Sequence, residues 1–180
     1  MALLVNHFIN LHNQYQADLK AADWENFLSP ERIQREPDQS QTKKMLAAAK
    51  QAITSYENKV LDRQPLYELG KQWSTIPSEQ ASFKVGIDRG MDRRLPTMQK
   101  QLGIEKQILG QIEVLATVLG DHKQQWKFEN QQMVFYDAAV LTKYNKEFAL
   151  FEKLLSEQDM MLKQTMEQGQ RSLEKATNSL

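Results

Sequence analysis

Three histidines, 23 acidic and 23 basic side chains, and no cysteine are the chemical resources of this 180-residue chain. Histidine is the commonest metal ligand and general base, so its spacing comes first. His7 and His12 are five residues apart, which on one helix sets them about 140° apart and prevents both from reaching one ion. There is no His-Glu-x-x-His, and no Glu-x-x-His of the kind that builds di-iron bundles. His122 stands alone near an expected helix end, where a protonated ring would suit the C-terminal dipole. Nucleophilic chemistry has no better basis. The sequence holds no Gly-x-Ser-x-Gly elbow and no glycine-rich loop leading to a lysine. Without cysteine there is no disulfide, thiolate ligand or thiol nucleophile. The expectation is a protein without catalysis, cofactor or metal, and a bundle-core metalloenzyme is the least favoured reading.

Two other groups of side chains could recognise a partner. Lys84–Arg94 is the densest charge pattern, and Arg89, Arg93 and Arg94 would form an anion or partner patch if a helix began near Thr97. The interleaved Asp88 and Asp92 favour the plainer reading of a salt-bridged helix end. In the aromatic stretch Gln124–Asp137, Trp126, Phe128, Asn130 and Phe135 could form a docking surface. Aromatic side chains more often serve packing, and a lid over the end of a bundle is the favoured use. Trp126 and Phe128, then Met133 and Phe135, alternate at strand period across a polar turn. Asn-Gly is missing there, so hairpin and helix both stay open.

The elements that carry these residues are helical by period and by propensity. Gly numbers seven and Pro five, hydrophobic residues make up 41% and charged residues 26%, a balance that suits a solvated helical domain. Thr97–Gly120 and Ala138–Leu173 read as a long antiparallel pair. The stripe of the second is Leu141, Tyr144, Phe148, Phe151, Leu155, Leu162 and Met166, with Phe148 and Phe151 expected in the core. Gly103 and Gly110 would admit a close neighbour, and Gly120 would cap the first helix of the pair.

Upstream, Leu3–Ala22 reads as a helix with Leu4, Phe8, Leu11, Tyr15 and Leu19 on one face. Ser29-Pro30 starts a short second helix. Asp38 and Gln41 have capping-box spacing before a third helix that runs to about Leu61, with Leu46, Ala49, Ile53, Tyr56 and Val60 inward. Leu66–Trp73 adds two turns, and Pro77-Ser78-Glu79 opens a segment to Ile87. Gly86, Gly90 and Leu95-Pro96 then predict a break before the central pair. Gln168–Leu180 is polar and is expected to fray. The fold class expected is all-α: one helical domain over residues 1–180, a bundle built on the long pair, with a small β-hairpin or a helical piece between its members.

Balanced charge argues against nucleic acid as partner, and no apolar run is long enough for a transmembrane segment. Leu119-Gly120-Asp121, then Phe128, Asn130, Phe135 and Tyr144-Asn145, follow an order that resembles a family of uncharacterised bacterial envelope lipoproteins with a "GD…F..N…F…YN" arrangement. The resemblance covers Leu119 to Asn145. It implies an envelope location and a helical shape, and it supplies no mechanism. The leader and lipid-bearing Cys of that family are missing from this sequence. The location expected is therefore envelope or periplasm if an export leader precedes Met1, and cytoplasm otherwise. The functional expectation is a non-enzymatic, envelope-associated helical protein that binds another protein or a small apolar ligand, or serves a structural role. The alternative is a cytoplasmic adaptor or chaperone presenting an apolar groove to a partner helix.

Overall fold

A computed structural model describes the backbone of residues 2–177 and the side chains of residues 3–167. Six α-helices and one two-stranded hairpin follow in chain order: α1 Ala2–Ala21, α2 Pro30–Arg35, α3 Ser40–Leu61, α4 Gln64–Trp73, α5 Pro77–Asp121, β1 Trp126–Glu129, β2 Gln132–Phe135 and α6 Ala138–Thr177. The fold is all-α, as expected, and the stretch between the two longest helices, open between hairpin and helix in the sequence, is a hairpin. Contacts group the chain into two compact units, residues 1–102 and residues 103–180, with the division falling inside α5.

In residues 1–102 the main helix pair is α1 with α3. Tyr15 and Leu19 from α1, and Leu46, Ala49, Ile53 and Val60 from α3, are buried at the positions the period indicates. Tyr15 stacks on Tyr56 at 4.6 Å between centroids. Only Ala49 of the three consecutive alanines faces the core. The Ser29 hydroxyl accepts from the Arg32 amide and Pro30 opens α2, so that start signal is used as read.

The start of α3 differs from its expected capping box. Asp38 accepts from the Ser40 amide, and the N-cap residue Gln39 sits at φ 60° without a side-chain cap. The cap is supplied by Glu36 instead. Its Oε1 accepts from the Thr42 amide at 2.8 Å and its Oε2 from the Thr42 hydroxyl at 2.6 Å. Arg32 pairs with the same Oε2 at 2.7 Å and donates to the carbonyls of Asn26 and Phe27. Burial alone would raise the Glu36 pKa, but the Thr42 hydrogen bonds and the Arg32 charge outweigh it and hold the carboxyl below its ordinary value of 4.5.

A larger difference is α5. The expected break at Gly86–Pro96 is missing, and one helix runs through Pro96 for 45 residues. An interior proline costs about 3 kcal/mol, yet both flanks are held. Arg63 forks onto Asp88 and Asp92 in the turns before it, and Met91 and Leu102 are buried on either side. Gly103 and Gly110 have open space where a Cβ would be, so they admit no close neighbour. Gly120 lies within the last turn of α5 and has no positive φ, so it is not the cap.

In residues 103–180, α5 packs on α6. Ile108, Leu109, Ile112, Leu115 and Leu119 are buried, and Gln111 Nε2 donates to the Glu147 carbonyl and carboxylate, both at 2.9 Å. The stripe expected on α6 holds in its middle and fails at its ends: Tyr144, Phe148, Phe151 and Leu155 are half-buried. Among the described residues of α6, Val140 and Met161 are fully buried, neither of them in the expected stripe, while Leu141, Leu162 at 50% and Met166 at 67% are exposed. Phe148 and Phe151 are half-buried in a ladder of rings from Phe135 through Tyr144, rather than in the core. The helix continues through Thr177, so fraying is not seen that far; the rest of the expected polar end lies outside the described residues.

The hairpin pairs Trp126 with Phe135 and Phe128 with Met133, which places these four side chains on one face. Asn130 and Gln131 both take left-handed backbone, φ 50° and 61°, the pattern of a type I′ turn. Asn adopts that region more readily than Gln, so the strain falls on Gln131.

Two outcomes follow for stability. The folded chain holds the Glu36 proton less tightly than the unfolded chain. The Glu36 contribution is therefore full above about pH 4.5 and is lost as pH falls through the lowered folded value. Glu36→Gln should lower stability by about 2–4 kcal/mol at pH 7 and flatten the acid limb of a Tm-versus-pH series. A variant as acid-sensitive as the parent would place the responsible carboxylate elsewhere. Gln131→Gly should raise stability by about 0.5–1 kcal/mol by relieving the left-handed strain, read as a higher denaturant midpoint.

Candidate functional site

The short turn after α4 brings α4 back along the start of α5 as an antiparallel helix pair. Leu69 and Trp73 on α4, and Phe83 and Ile87 on α5, are each four apart and line a common space. Both ends of this pair are pinned. At the turn, Ser74 Oγ accepts from the Ile76 amide at 3.0 Å and donates to Glu79 Oε2 at 2.6 Å, while Gln80 Nε2 donates to the Ser74 carbonyl at 2.7 Å. At the far end, the Tyr67 hydroxyl and the Arg63 guanidinium both donate to Asp88 Oδ1. The hydrogen bond from Tyr67, then that from Arg63, holds the Asp88 carboxyl below the ordinary range. The same bond keeps the proton on Tyr67 and raises its pKa. Lys84 Nζ lies over the Tyr67 ring, 4.8 Å from its centroid.

Close approach in the middle depends on Gly70, which is buried under Phe83; a methyl group there would overlap the ring. Phe83 in turn stacks with Trp73, centroids 6.1 Å apart and planes 28° from parallel. Trp73 is nevertheless 63% exposed. Beside this ring pair is a pocket of about 370 Å³, completed by Leu3 and Leu4 of α1 and by Gly86. Its lining holds hydrocarbon, aromatic and glycine surface with no charged side chain. A second pocket of about 340 Å³ shares Trp73 and Phe83 and is lined also by Ser78, Glu79 and Ser82. Pockets of this size and character hold small molecules by contact area, oriented by a few polar groups.

The residues singled out in the sequence lie elsewhere. Trp126 is 2% exposed and its indole N–H donates to the Leu119 carbonyl at 2.8 Å, so its ring closes over the end of α5. Phe128 and Phe135 are half-buried, Phe135 against Tyr144 at 5.3 Å, and Asn130 serves the turn through its backbone. Burial raises the Tyr144 pKa. Arg89, Arg93 and Arg94 are exposed along the middle of α5. The helix start expected near Thr97 is not there, because the amides in that region belong to a helix that begins at Pro77. Without a free N-terminus, the anion patch loses the dipole it relied on. Arg93 Nε donates to the Arg89 carbonyl one turn back. His7 packs edge-on against Phe8 and His12 against Tyr56. Among the described residues no three His, Asp or Glu side chains are grouped to hold a metal ion, and no helix is long and apolar enough to cross a membrane.

Sequence reading passed over the pocket because each half looked like an ordinary helix fragment. The available signal was the matched spacing of Leu69-x-x-x-Trp73 and Phe83-x-x-x-Ile87 about a short turn. Gly70 should prove the sensitive position. Gly70→Ala is expected to push Phe83 aside and cost about 1–3 kcal/mol, seen as a lower Tm; an unchanged Tm would mean the Phe83 ring gives way freely. No family model matches the chain, and neither a curated protein nor a solved structure matches it.

Proposed function

We propose that this is a non-enzymatic helical binding protein of the bacterial envelope, which shelters a small apolar ligand between α1, α4 and α5. The observation that carries the reading is the 370 Å³ pocket with its uncharged lining and the exposed Trp73 at its rim. An apolar cavity of about 150 Å³ is enough for benzene, so this one has room for a chain or a fused ring. A large exposed tryptophan beside an apolar hollow is surface that a ligand would cover. The envelope location rests on the resemblance of Leu119–Asn145 to envelope lipoproteins. The alternative is a cytoplasmic adaptor or chaperone that engages a partner helix. It draws support from a different place, the exposed Met160, Leu162 and Met166 of α6, because flexible methionine-rich surfaces suit varied helical partners.

A neutral fluorescent probe, N-phenyl-1-naphthylamine, tests the pocket directly. It should bind the parent protein with a blue shift. Gly86 lines the pocket and has open space at its Cβ position, so Gly86→Leu should fill the hollow, weaken probe binding at least about tenfold, and leave Tm intact. Binding unaffected by this change, or no binding to the parent, would count against the proposal.

A further inference from the structure

Resting on the binding function proposed above, the geometry points to one class of ligand, a single-chain amphiphile with a cationic head. The two pockets share the Trp73–Phe83 ring pair and differ in character. The first offers hydrocarbon and ring surface alone, which fits an alkyl chain. The second adds Ser78, Glu79 and Ser82, and its one charged lining residue is acidic. Ser82 Oγ donates to the Ser78 carbonyl at 2.9 Å. Glu79 Oε2 accepts from Ser74, while Oε1 accepts no hydrogen bond among the described residues.

Charge complementarity selects the head group. A carboxylate or phosphate head would sit against Glu79 and find no cationic side chain in either lining; the start of α5 at Pro77 offers it only a partial positive charge, which the full charge of Glu79 in the same turn offsets. The neighbouring lysines are already engaged, Lys84 over the Tyr67 ring and Lys71 with Glu68 at 2.7 Å. An ammonium head meets the opposite situation. Trp73 stacks on Phe83 and stays largely exposed, and indole is the aromatic surface that attracts cations best. With Glu79 beside it, Trp73 supplies the two components that recognise alkylammonium groups, a ring face and a carboxylate. The chain then lies among Leu3, Leu69, Phe83 and Ile87, with the head at Trp73 and Glu79.

Isothermal titration of the full chain with decyltrimethylammonium, decanol and decanoate, each below its micelle concentration at pH 7, tests this. The cation should bind at least about tenfold more tightly than decanoate, with decanol between. Glu79→Gln should narrow the gap between the cation and decanol to what the Trp73 ring alone supplies. Ser82→Asp, which adds a carboxylate at an exposed position, should widen the preference and guards against a Glu79 variant that disturbs the turn. Gly86→Leu should weaken all three probes. Equal binding of the three by the parent, or a preference that neither head-region variant moves, overturns the head-group assignment while leaving the apolar pocket in place. Failure of all three to bind overturns the pocket together with it.

Discussion

A carboxylate that is 6% exposed persists only if every oxygen is answered, and Glu36 in the 1–102 unit meets that condition. One oxygen takes an amide of α3, the other takes a hydroxyl and a guanidinium, and the guanidinium also donates to that hydroxyl and to the carbonyls of Asn26 and Phe27. Four local pieces are fixed by this one group of hydrogen bonds: the turn after α1, the short α2, the loop that follows it, and the first turn of α3. None of them is long enough to hold its shape alone. Their geometry sets how α3 meets α1, and the apolar cores of those helices can only then close. The arrangement is stringent, because losing any one partner strands a buried polar group.

In residues 103–180 a single buried donor plays the comparable part. A two-stranded hairpin is marginal on its own. The Trp126 indole gives this one an anchor: it removes a large ring from water and satisfies a carbonyl near the end of α5, where carbonyls lack helical partners. The strand face opposite the solvent then continues into the rings of Tyr144, Phe148 and Phe151. Aromatic packing consumes the very side chains that gave the stretch the look of a docking surface.

The helix pair α4–α5 shows the opposite outcome. Its ends are tied by charge and hydrogen bonds, and its middle by the contact of Phe83 with Gly70, so the remaining apolar side chains have fixed positions without being fully covered. Rigid ends and an incompletely filled middle make a pocket rather than a core. Trp73, the last residue of α4 before the turn, remains 63% exposed.

Much of the secondary structure was determined by the sequence itself. Helical period marked α1, α3 and their inward faces and Ser29-Pro30 marked the start of α2, while strand alternation from Trp126 to Phe135 left hairpin and helix both open. These signals are local, arising from side-chain spacing and backbone chemistry within a few residues. What the tertiary structure decided are the places where a distant contact outweighs a local preference. α5 runs unbroken through Pro96, with Arg63 on Asp88 and Asp92 and the buried Met91 in the turns before it, where local signals called for a break. Gln111 hydrogen-bonds Glu147 where α6 meets α5, and Leu162 and Met166 further along α6 are exposed, against the reading of apolar residues alone. The pocket belongs to the same class. Leu3, Trp73 and Phe83 are far apart in the chain, and each looks ordinary in its own helix. Only the return of α4 along α5, over a glycine too small to stop it, gives them a common surface.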